Sequence, residues 1–133
     1  MTIDWSELER RAVAVRKSAY APYSGYQVGA ALLVRSGQVF VGCNVENASY
    51  GLCLCAERSA VAQMVAANEV DPIALVVATR GPKPGTPCGS CRQVLAEFAM
   101  DLPVRLVVDG NPSATHDTSL ATLLPEAFRK DSL

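Results

Sequence analysis

Three cysteines and one glutamate of this chain are residues of the types that metal-dependent chemistry requires. Cys55 precedes Glu57 by two residues, and Cys88 and Cys91 form a Cys-x-x-Cys pair further along. Three thiolates are one ligand short of a closed structural zinc site, and the open fourth position lets water bind. A carboxylate beside such a site is suited to moving protons to and from that water. We therefore predict a catalytic zinc ion held by the three cysteines, with Glu57 as the general acid and base.

The other two cysteines leave an alternative open. Cys43 or Cys53 would complete a four-sulfur structural site, as in a non-enzymatic zinc module that mediates protein contacts. We interpret both as small buried hydrophobes, because a Cys-x-Cys ligand pair is less usual than Cys-x₂₋₄-Cys. A structural site also has no need of a carboxylate beside its ligand. The lone histidine, His116, lies in a polar segment and is interpreted as a solvent residue.

Two arginines follow the predicted site residues directly. A zinc ion with three thiolates carries a net negative charge, and donors near the sulfurs would draw some of that charge away. Arg58 follows Glu57 and Arg92 follows Cys91, so both are candidates for this role. The alternative for each is an ordinary surface charge.

The apolar pattern predicts the elements that must position these residues. Apolar residues at three- and four-residue spacing indicate helices, and Asp4 is the predicted N-cap of the first helix. Short apolar runs indicate strands. The helices are predicted over residues 4–19, 56–68 and 88–98, with a short helix or turn at 118–124. The strands are predicted over 28–34, 39–45, 73–79 and 104–108, a tight turn at 35–38, and loops at 80–87 and 109–117.

This order predicts an α/β fold of three layers, with one mixed sheet of about five strands and helices on both faces. The fifth strand is not located by the pattern. Cys55 and the Cys88–Cys91 pair stand at the starts of two helices, where free N–H groups and partial positive charge favour thiolates.

Composition narrows the class of protein. The 133 residues predict a single domain over 1–133. The net charge of -1, from 12 basic and 13 acidic residues, argues against a nucleic-acid polymer as partner. No apolar run reaches the roughly 20 residues of a membrane span, and residues 1–5 lack the features of an export signal. We expect a cytoplasmic protein with no membrane partner, whose cysteines are thiols or metal ligands.

Several segments together resemble one known family over nearly the whole chain. The chain is similar to the small, homotetrameric cytidine deaminases of the cytidine/deoxycytidylate deaminase superfamily. The Cys-Ala-Glu and Pro-Cys-x-x-Cys pair is typical of zinc deaminases, here with Cys in place of the usual first His, and Asn-Val-Glu-Asn narrows the substrate to a nucleoside. The segments are residues 20–24 (YAPYS), 28–31 (VGAA), 42–48 (GCNVENA), 55–58 (CAER), 87–93 (PCGSCRQ) and 123–128 (LLPEAF).

The resemblance implies a cytidine-deaminase-like fold and a zinc-dependent hydrolysis. Cytidine and 2′-deoxycytidine would be deaminated to uridine and 2′-deoxyuridine with release of ammonia, in pyrimidine salvage, using one zinc ion per subunit. Glu57 would take a proton from the attacking water, pass it to N3 of the pyrimidine, and then carry one to the departing amino group.

The resemblance also implies the residues that bind substrate. Asn44 and Glu46 would hold the ribose hydroxyls, although from the residues alone they would be interpreted as a turn-rich loop. Tyr26 stands where the family usually has Phe against the pyrimidine ring, so its hydroxyl is a departure from the pattern. Backbone groups near Ala56 would bond to the edge of the base.

Three further residues are implied to act between subunits. Ala48 and Tyr50 match interface positions near the 5′ end of the sugar. Phe128 matches a residue that stacks on the base in a neighbouring subunit's site, although from the residues alone it would be interpreted as a core anchor. The implied assembly is a homotetramer with shared active sites.

Two related activities remain as alternatives. A blasticidin S deaminase is similar around Pro-Cys-x-x-Cys but lacks the Glu-Asn found at Glu46 and Asn47. A polynucleotide deaminase usually has His where Cys55 stands, and it needs basic and aromatic surface to hold a strand. With 6% aromatic residues and a net charge of -1, this chain offers little of either.

Overall fold

The helices of this protein pack on a five-stranded mixed sheet. The structure is a computed structural model that describes residues 2–133. In chain order the elements are α1 (Trp5–Arg16), β1 (Gly29–Val34), β2 (Val39–Cys43), α2 (Ala56–Ala66), β3 (Pro72–Thr79), α3 (Gly89–Ala96), β4 (Pro103–Val108), β5 (Asn111–Ser119) and α4 (Leu120–Leu123), with short 3₁₀ turns at Tyr50–Leu52 and Lys130–Ser132.

The strand order in the sheet is β2-β1-β3-β4-β5. β3 and β4 are parallel, and the other neighbouring pairs are antiparallel. The β1–β2 hairpin turns at Arg35–Gln38 as predicted, and Gly37 adopts the positive φ of 96° that this turn needs. α3 lies in the crossover between the parallel strands β3 and β4, which no tight turn can connect.

Both faces of the sheet are covered, which confirms the predicted three-layer α/β/α fold. One face buries Leu32, Leu75 and Leu106 against α2 and α3, where Met64 and Leu95 complete the cluster. The other face packs against α1, and its buried cluster comprises Leu8, Ala12, Ala31, Leu33, Ala74, Val76, Ala78 and Val107. β1 and β3 alternate between the two clusters, which explains their continuous apolar sequences.

Gly42 lets α2 rest directly on β2. A Cβ at Gly42 would lie 2.5 Å from both the Ala56 carbonyl oxygen and the Ala60 amide nitrogen. No side chain fits in that space, so the backbone of α2 is held against the backbone of the strand. The start of α2 carries Cys55 and Glu57, so this contact also fixes the height of those residues over the sheet.

The prediction of a loop over residues 109–117 is wrong. Residues Asn111–Ser119 form β5, antiparallel to β4 at the edge of the sheet. The strand is largely exposed and polar, so it lacks the apolar alternation that marks a half-buried strand. Arg105 of β4 holds it through a 2.7 Å ion pair with Asp117. His116, predicted as a solvent residue, is exposed on this strand.

The first helix is shorter than predicted. Asp4 caps it as expected, since the Asp4 carboxylate accepts a 3.1 Å hydrogen bond from the Glu7 amide. The helix ends at Arg16 rather than residue 19, well before Pro22. The Ala19 amide donates to the Arg16 carbonyl at 3.1 Å in a tighter turn, and the next residue, Tyr20, already pairs with Val45.

Among residues 2–133, no helix combines the length and the apolar character that a membrane crossing requires.

Candidate metal centre and active-site cavity

Two helix starts bring three sulfur atoms together. Cys55 and Cys88 occupy the N-cap positions of α2 and α3, and Cys91 lies in the first turn of α3. Their Sγ atoms all lie within 4.8 Å of one another, and the Sγ atoms of Cys55 and Cys88 are 3.7 Å apart. Tetrahedral zinc with Zn–S bonds of about 2.3 Å separates its sulfurs by about 3.8 Å. The three thiols therefore fit a zinc ion.

Within residues 2–133, this group of potential ligands contains no fourth side chain. Cys43 and Cys53 lie outside it and are only partly buried, and the Cys53 thiol lies 3.8 Å from the Asn47 carbonyl oxygen. This arrangement argues against a four-sulfur structural site. A zinc ion held by the three thiols would keep one coordination position for water.

The helix starts also prepare the sulfurs for metal. Neither Cys55 nor Cys88 caps its helix with a side-chain hydrogen bond, so both sulfurs are available as ligands. The Cys91 thiol and the Arg58 guanidinium lower the pKa of the Cys55 thiol well below its usual range. Arg58 donates from Nη2 to Cys55 Sγ over 3.3 Å. A thiolate at Cys55 is the form that binds zinc.

Arg92, the other arginine predicted to act near the sulfurs, bonds to oxygen atoms instead. Its guanidinium donates to the carbonyl oxygens of Pro87 and Leu123, both at 2.7 Å, and to Thr86 Oγ1 at 3.1 Å. These oxygen atoms belong to the segment that precedes Cys88 and to the last residue of α4. In this geometry Arg92 braces the approach to Cys88, whereas Arg58 contacts sulfur directly.

Glu57 is the buried acid of the site. It lies in the first turn of α2 with 5% of its surface exposed. Burial raises the pKa of its carboxyl group to about 7, because removing a carboxylate from water disfavours its charged form. A group with this pKa both accepts and releases protons near neutral pH.

A cavity of about 180 Å³ opens beside these groups. Cys55, Ala56, Glu57 and Cys88 form its metal end, and half-buried Val28 and buried Val77 form apolar walls. The remaining lining residues are Tyr26, Asn44, Thr79, Gly85 and Thr86.

Asn44 lines the cavity and also supports it. Its Nδ2 donates to the Tyr26 carbonyl and its Oδ1 accepts from the Val28 amide, both at 2.8 Å. The side chain therefore ties β2 to the segment that carries Tyr26 into β1. One lone pair of Oδ1 and one N–H of Nδ2 remain for a ligand.

The structure places Glu46 next to this cavity rather than in its lining. Its carboxylate accepts hydrogen bonds from the Tyr23 amide at 2.9 Å, the Ser24 amide at 3.1 Å and the Ser24 hydroxyl. These bonds lower the pKa of the Glu46 carboxyl group. Glu46 instead lines a second pocket, together with Tyr23, Ser24, Tyr50 and Cys53.

The residues predicted to act between subunits lie on the surface. Tyr50 is 74% exposed and Phe128 is 61% exposed, and Ala48 is exposed as well. Phe128 is therefore no core anchor for the C-terminal segment, and it is held there through its carbonyl oxygen, which accepts a 2.7 Å bond from Gln93.

The sequence analysis missed five lining residues, which are Val28, Val77, Thr79, Gly85 and Thr86. Thr79 had a signal, because it is the hydroxyl residue that ends the otherwise apolar segment Pro72–Thr79. Gly85 and Thr86 lie in a Gly/Pro loop, where the sequence gives no indication of which residues approach the cavity.

Known proteins are similar to this chain in sequence and in fold. The family model "Cytidine and deoxycytidylate deaminase zinc-binding region" matches residues 4–106. A cytidine deaminase of Halalkalibacterium halodurans is 38% identical, and the match covers 98% of each chain. One from Mycobacterium tuberculosis is 40% identical over 98% of this chain and 94% of the relative.

The solved structures agree. The crystal structure of cytidine deaminase from Burkholderia pseudomallei matches with a TM-score of 0.89 and 45% identity, over 95% of this chain and all of the other. The match of sequence and fold runs through both helix starts that carry the clustered cysteines. The chain belongs to the cytidine and deoxycytidylate deaminase family.

Proposed function

We propose that this protein catalyses the zinc-dependent hydrolytic deamination of cytidine and 2′-deoxycytidine to uridine and 2′-deoxyuridine, with release of ammonia. One observation carries the proposal: three thiols lie at zinc-ligand spacing, and two of them, Cys55 and Cys88, line a cavity together with the buried Glu57 carboxyl group. The relatives that match nearly the full chain are named cytidine deaminases, which supports the choice of substrate.

In the proposed mechanism Cys55, Cys88 and Cys91 hold zinc and Glu57 moves the protons. A bound zinc ion supplies the Lewis acid that lowers the pKa of the attacking water from about 15.7 towards 7. Glu57 accepts a proton from this water and delivers it to N3 of the pyrimidine ring. The oxygen of this water bonds to C4 of the ring. Glu57 then carries the second proton of the water to the amino group, the C4–N bond breaks, and ammonia leaves. The raised pKa of Glu57 suits a group that must alternate between both forms.

Other residues of the cavity orient the base and exclude water. Val28 and Val77 offer apolar contact to the faces of a planar ring, and Tyr26 adds an aromatic wall. Backbone groups at Ala56 are assigned to the edge of the base. Arg58 stabilises the Cys55 thiolate through the contact described above.

The residues around the cavity entrance, here called the rim (Asn44, Glu46, Ala48, Tyr50 and Phe128), are assigned to the sugar and to a second copy of the chain. We assign Asn44 and Glu46 to the ribose hydroxyls, and Ala48, Tyr50 and Phe128 to contacts with a neighbouring subunit's site in a homotetramer. The exposure of Tyr50 and Phe128 supports the assignment to a subunit contact, because large apolar side chains on a surface mark interaction sites. The exposed apolar residues of this region are Tyr20, Tyr23, Val45, Tyr50, Leu52 and Leu54.

The free thiols of all five cysteines support a reducing compartment, so we place the enzyme in the cytoplasm. We assign it a small nucleoside and water as partners, and one domain to residues 1–133.

The decisive experiment follows the ultraviolet absorbance of cytidine after addition of zinc-loaded protein. We expect conversion to uridine with one ammonia per turnover, and loss of turnover after chelation that zinc restores. Blasticidin S and a cytosine-containing oligonucleotide serve as the comparison substrates. Faster turnover of either one, or no turnover of cytidine, would overturn the proposal.

Two measurements test the site and the assembly. X-ray absorption at the zinc edge should report three sulfurs and one lighter ligand, whereas four sulfurs would indicate a structural site. Light scattering on the eluting protein should give four times the mass of the 14.1 kDa chain. A monomer with full activity would contradict the shared active site.

A further inference from the structure

Thr79 is a polar residue of the cavity that the proposed mechanism leaves without a role. It ends β3, and only 2% of its surface is exposed. Its hydroxyl has no hydrogen-bond partner within residues 2–133, although the side chain lines the cavity. Buried hydroxyls are as a rule hydrogen-bonded, so this one lacks the partner that such a group normally has.

The position of Thr79 is fixed by its backbone. Its carbonyl oxygen accepts a 2.8 Å hydrogen bond from the Asp109 amide, and the residue pairs with Val108 of the parallel strand β4. A side chain on such a strand end has little freedom to turn away from the cavity. The hydroxyl is thus presented by the sheet rather than by a loop.

A second hydroxyl lies close to Thr79. The Tyr26 hydroxyl oxygen lies 2.6 Å from the point where a Cβ on Gly85 would stand, and the Thr79 side chain lies beside the same point, with Cγ2 at 3.2 Å and Oγ1 at 3.9 Å. The absence of a side chain at Gly85 leaves room for both groups. This part of the cavity therefore offers hydroxyl groups in addition to the Glu57 carboxyl group.

Thr79 lies at the buried part of the cavity. Ala56, Glu57 and Val77, which line the cavity with it, are all at most 5% exposed, whereas Tyr26 is 47% exposed. A nucleoside that presents its amidine to Glu57 brings its base, rather than its sugar, to this buried part. A hydroxyl both donates and accepts, so it matches any polar atom on the edge of a pyrimidine.

We propose that the Thr79 hydroxyl hydrogen-bonds to the polar edge of the substrate's pyrimidine base and so helps to bind it. The inference rests on the proposed deaminase function and adds a substrate-binding residue to it. Since the bond forms on binding and persists through the reaction, it contributes mainly to KM.

The test compares Thr79→Val, which keeps the shape and removes the hydroxyl, with Thr79→Ser, which keeps the hydroxyl. For Thr79→Val we expect KM for cytidine to rise about tenfold with kcat within about twofold of the parent. The melting temperature should stay the same or rise, because the variant removes an unpaired buried hydroxyl. Thr79→Ser should bind within about threefold of the parent.

Thr118→Val is the matched control. Thr118 lies on β5 opposite Val104, away from the cavity lining, so the same chemical change there should leave KM unchanged. The KM increase of Thr79→Val should be equally large with 2′-deoxycytidine, because the bond is to the base.

The outcomes separate the two proposals. A parent protein without cytidine turnover would overturn both the deaminase function and the role of Thr79. An active parent whose Thr79→Val variant keeps KM within twofold would overturn the role of Thr79 alone. A variant that loses zinc or melts earlier would also overturn it, since the hydroxyl would then be structural. A loss confined to cytidine would overturn the assignment to the base.

Discussion

The metal end of the cavity and its rim differ in what holds them in place. At the metal end, Ala56 and Glu57 are buried at the start of a helix that rests on the sheet. At the rim, Tyr50 and Phe128 are more than half exposed. The groups assigned to proton transfer are thus fixed by the core of one chain, whereas Tyr50 and Phe128, which are assigned to a neighbouring subunit's site, are exposed in the single chain. Changes at the metal end should affect chemistry or folding, and changes at the rim should affect binding.

The largest effect is expected from Cys88→Ala. Removal of one sulfur should abolish turnover, release zinc and lower the melting temperature, because metal binding is coupled to folding. Zinc content and calorimetry measure this. Cys53→Ala is the control, since its thiol lies outside the ligand group, and it should keep its zinc. A zinc-free Cys88→Ala protein with an unchanged melting temperature would contradict the coupling.

Glu57→Gln should separate chemistry from folding at the same end. We expect zinc content to be unchanged and kcat to fall by at least about 10³-fold, because no other group is assigned to the proton transfers. The melting temperature should not fall, since a neutral amide is easier to bury than a carboxylate. Glu69→Gln, at a partly buried position outside the cavity lining, is the control. Normal turnover in Glu57→Gln would remove this residue from the mechanism.

Phe128→Ala tests the rim. Because 61% of the side chain is exposed in the single chain, its loss should change the melting temperature little. KM for cytidine should rise about tenfold if the ring stacks on a base in a neighbouring site. Steady-state kinetics and light scattering are the measurements. An unchanged KM in an intact tetramer would count against the shared site.

The smallest effect is expected where the two regions meet. Gly85→Ala would place a Cβ 2.6 Å from the Tyr26 hydroxyl oxygen, so the tyrosine ring must shift. Because 47% of Tyr26 is exposed, its ring can shift toward solvent, and we expect a rise in KM of only about threefold. The double variant Tyr26→Phe/Gly85→Ala removes the clash and should restore KM. If the double variant is no better than Gly85→Ala alone, the effect does not pass through Tyr26.

The sequence was most informative where chemistry or burial constrains residue type. The cysteine spacing predicted a group of three potential metal ligands that the structure brings together, and continuous apolar segments located β1 and β3 to within about one residue. β5 was missed because an exposed edge strand needs no apolar face, and its pairing depends on Arg105 and Asp117 reaching each other across two strands.

The rim was harder to predict because distant segments build it. The Glu46 carboxylate accepts hydrogen bonds from the backbone amides of Tyr23 and Ser24. No local sequence pattern predicts such a contact between two polar loops. Thr79 was overlooked for a related reason. One hydroxyl at the end of an apolar strand looks like a strand boundary until the cavity beside it is known.

Gly42 bears on any attempt to redesign this protein for bulkier substrates. Gly42 has no side chain, so α2 already lies as close to β2 as the two backbones allow. Glu57 therefore cannot be moved closer to the sheet, and even one methyl group added at Gly42 would push α2 away. Engineering for larger bases therefore has to begin with the flexible margin around Tyr26 and the Gly/Pro loop, leaving the sheet beneath untouched.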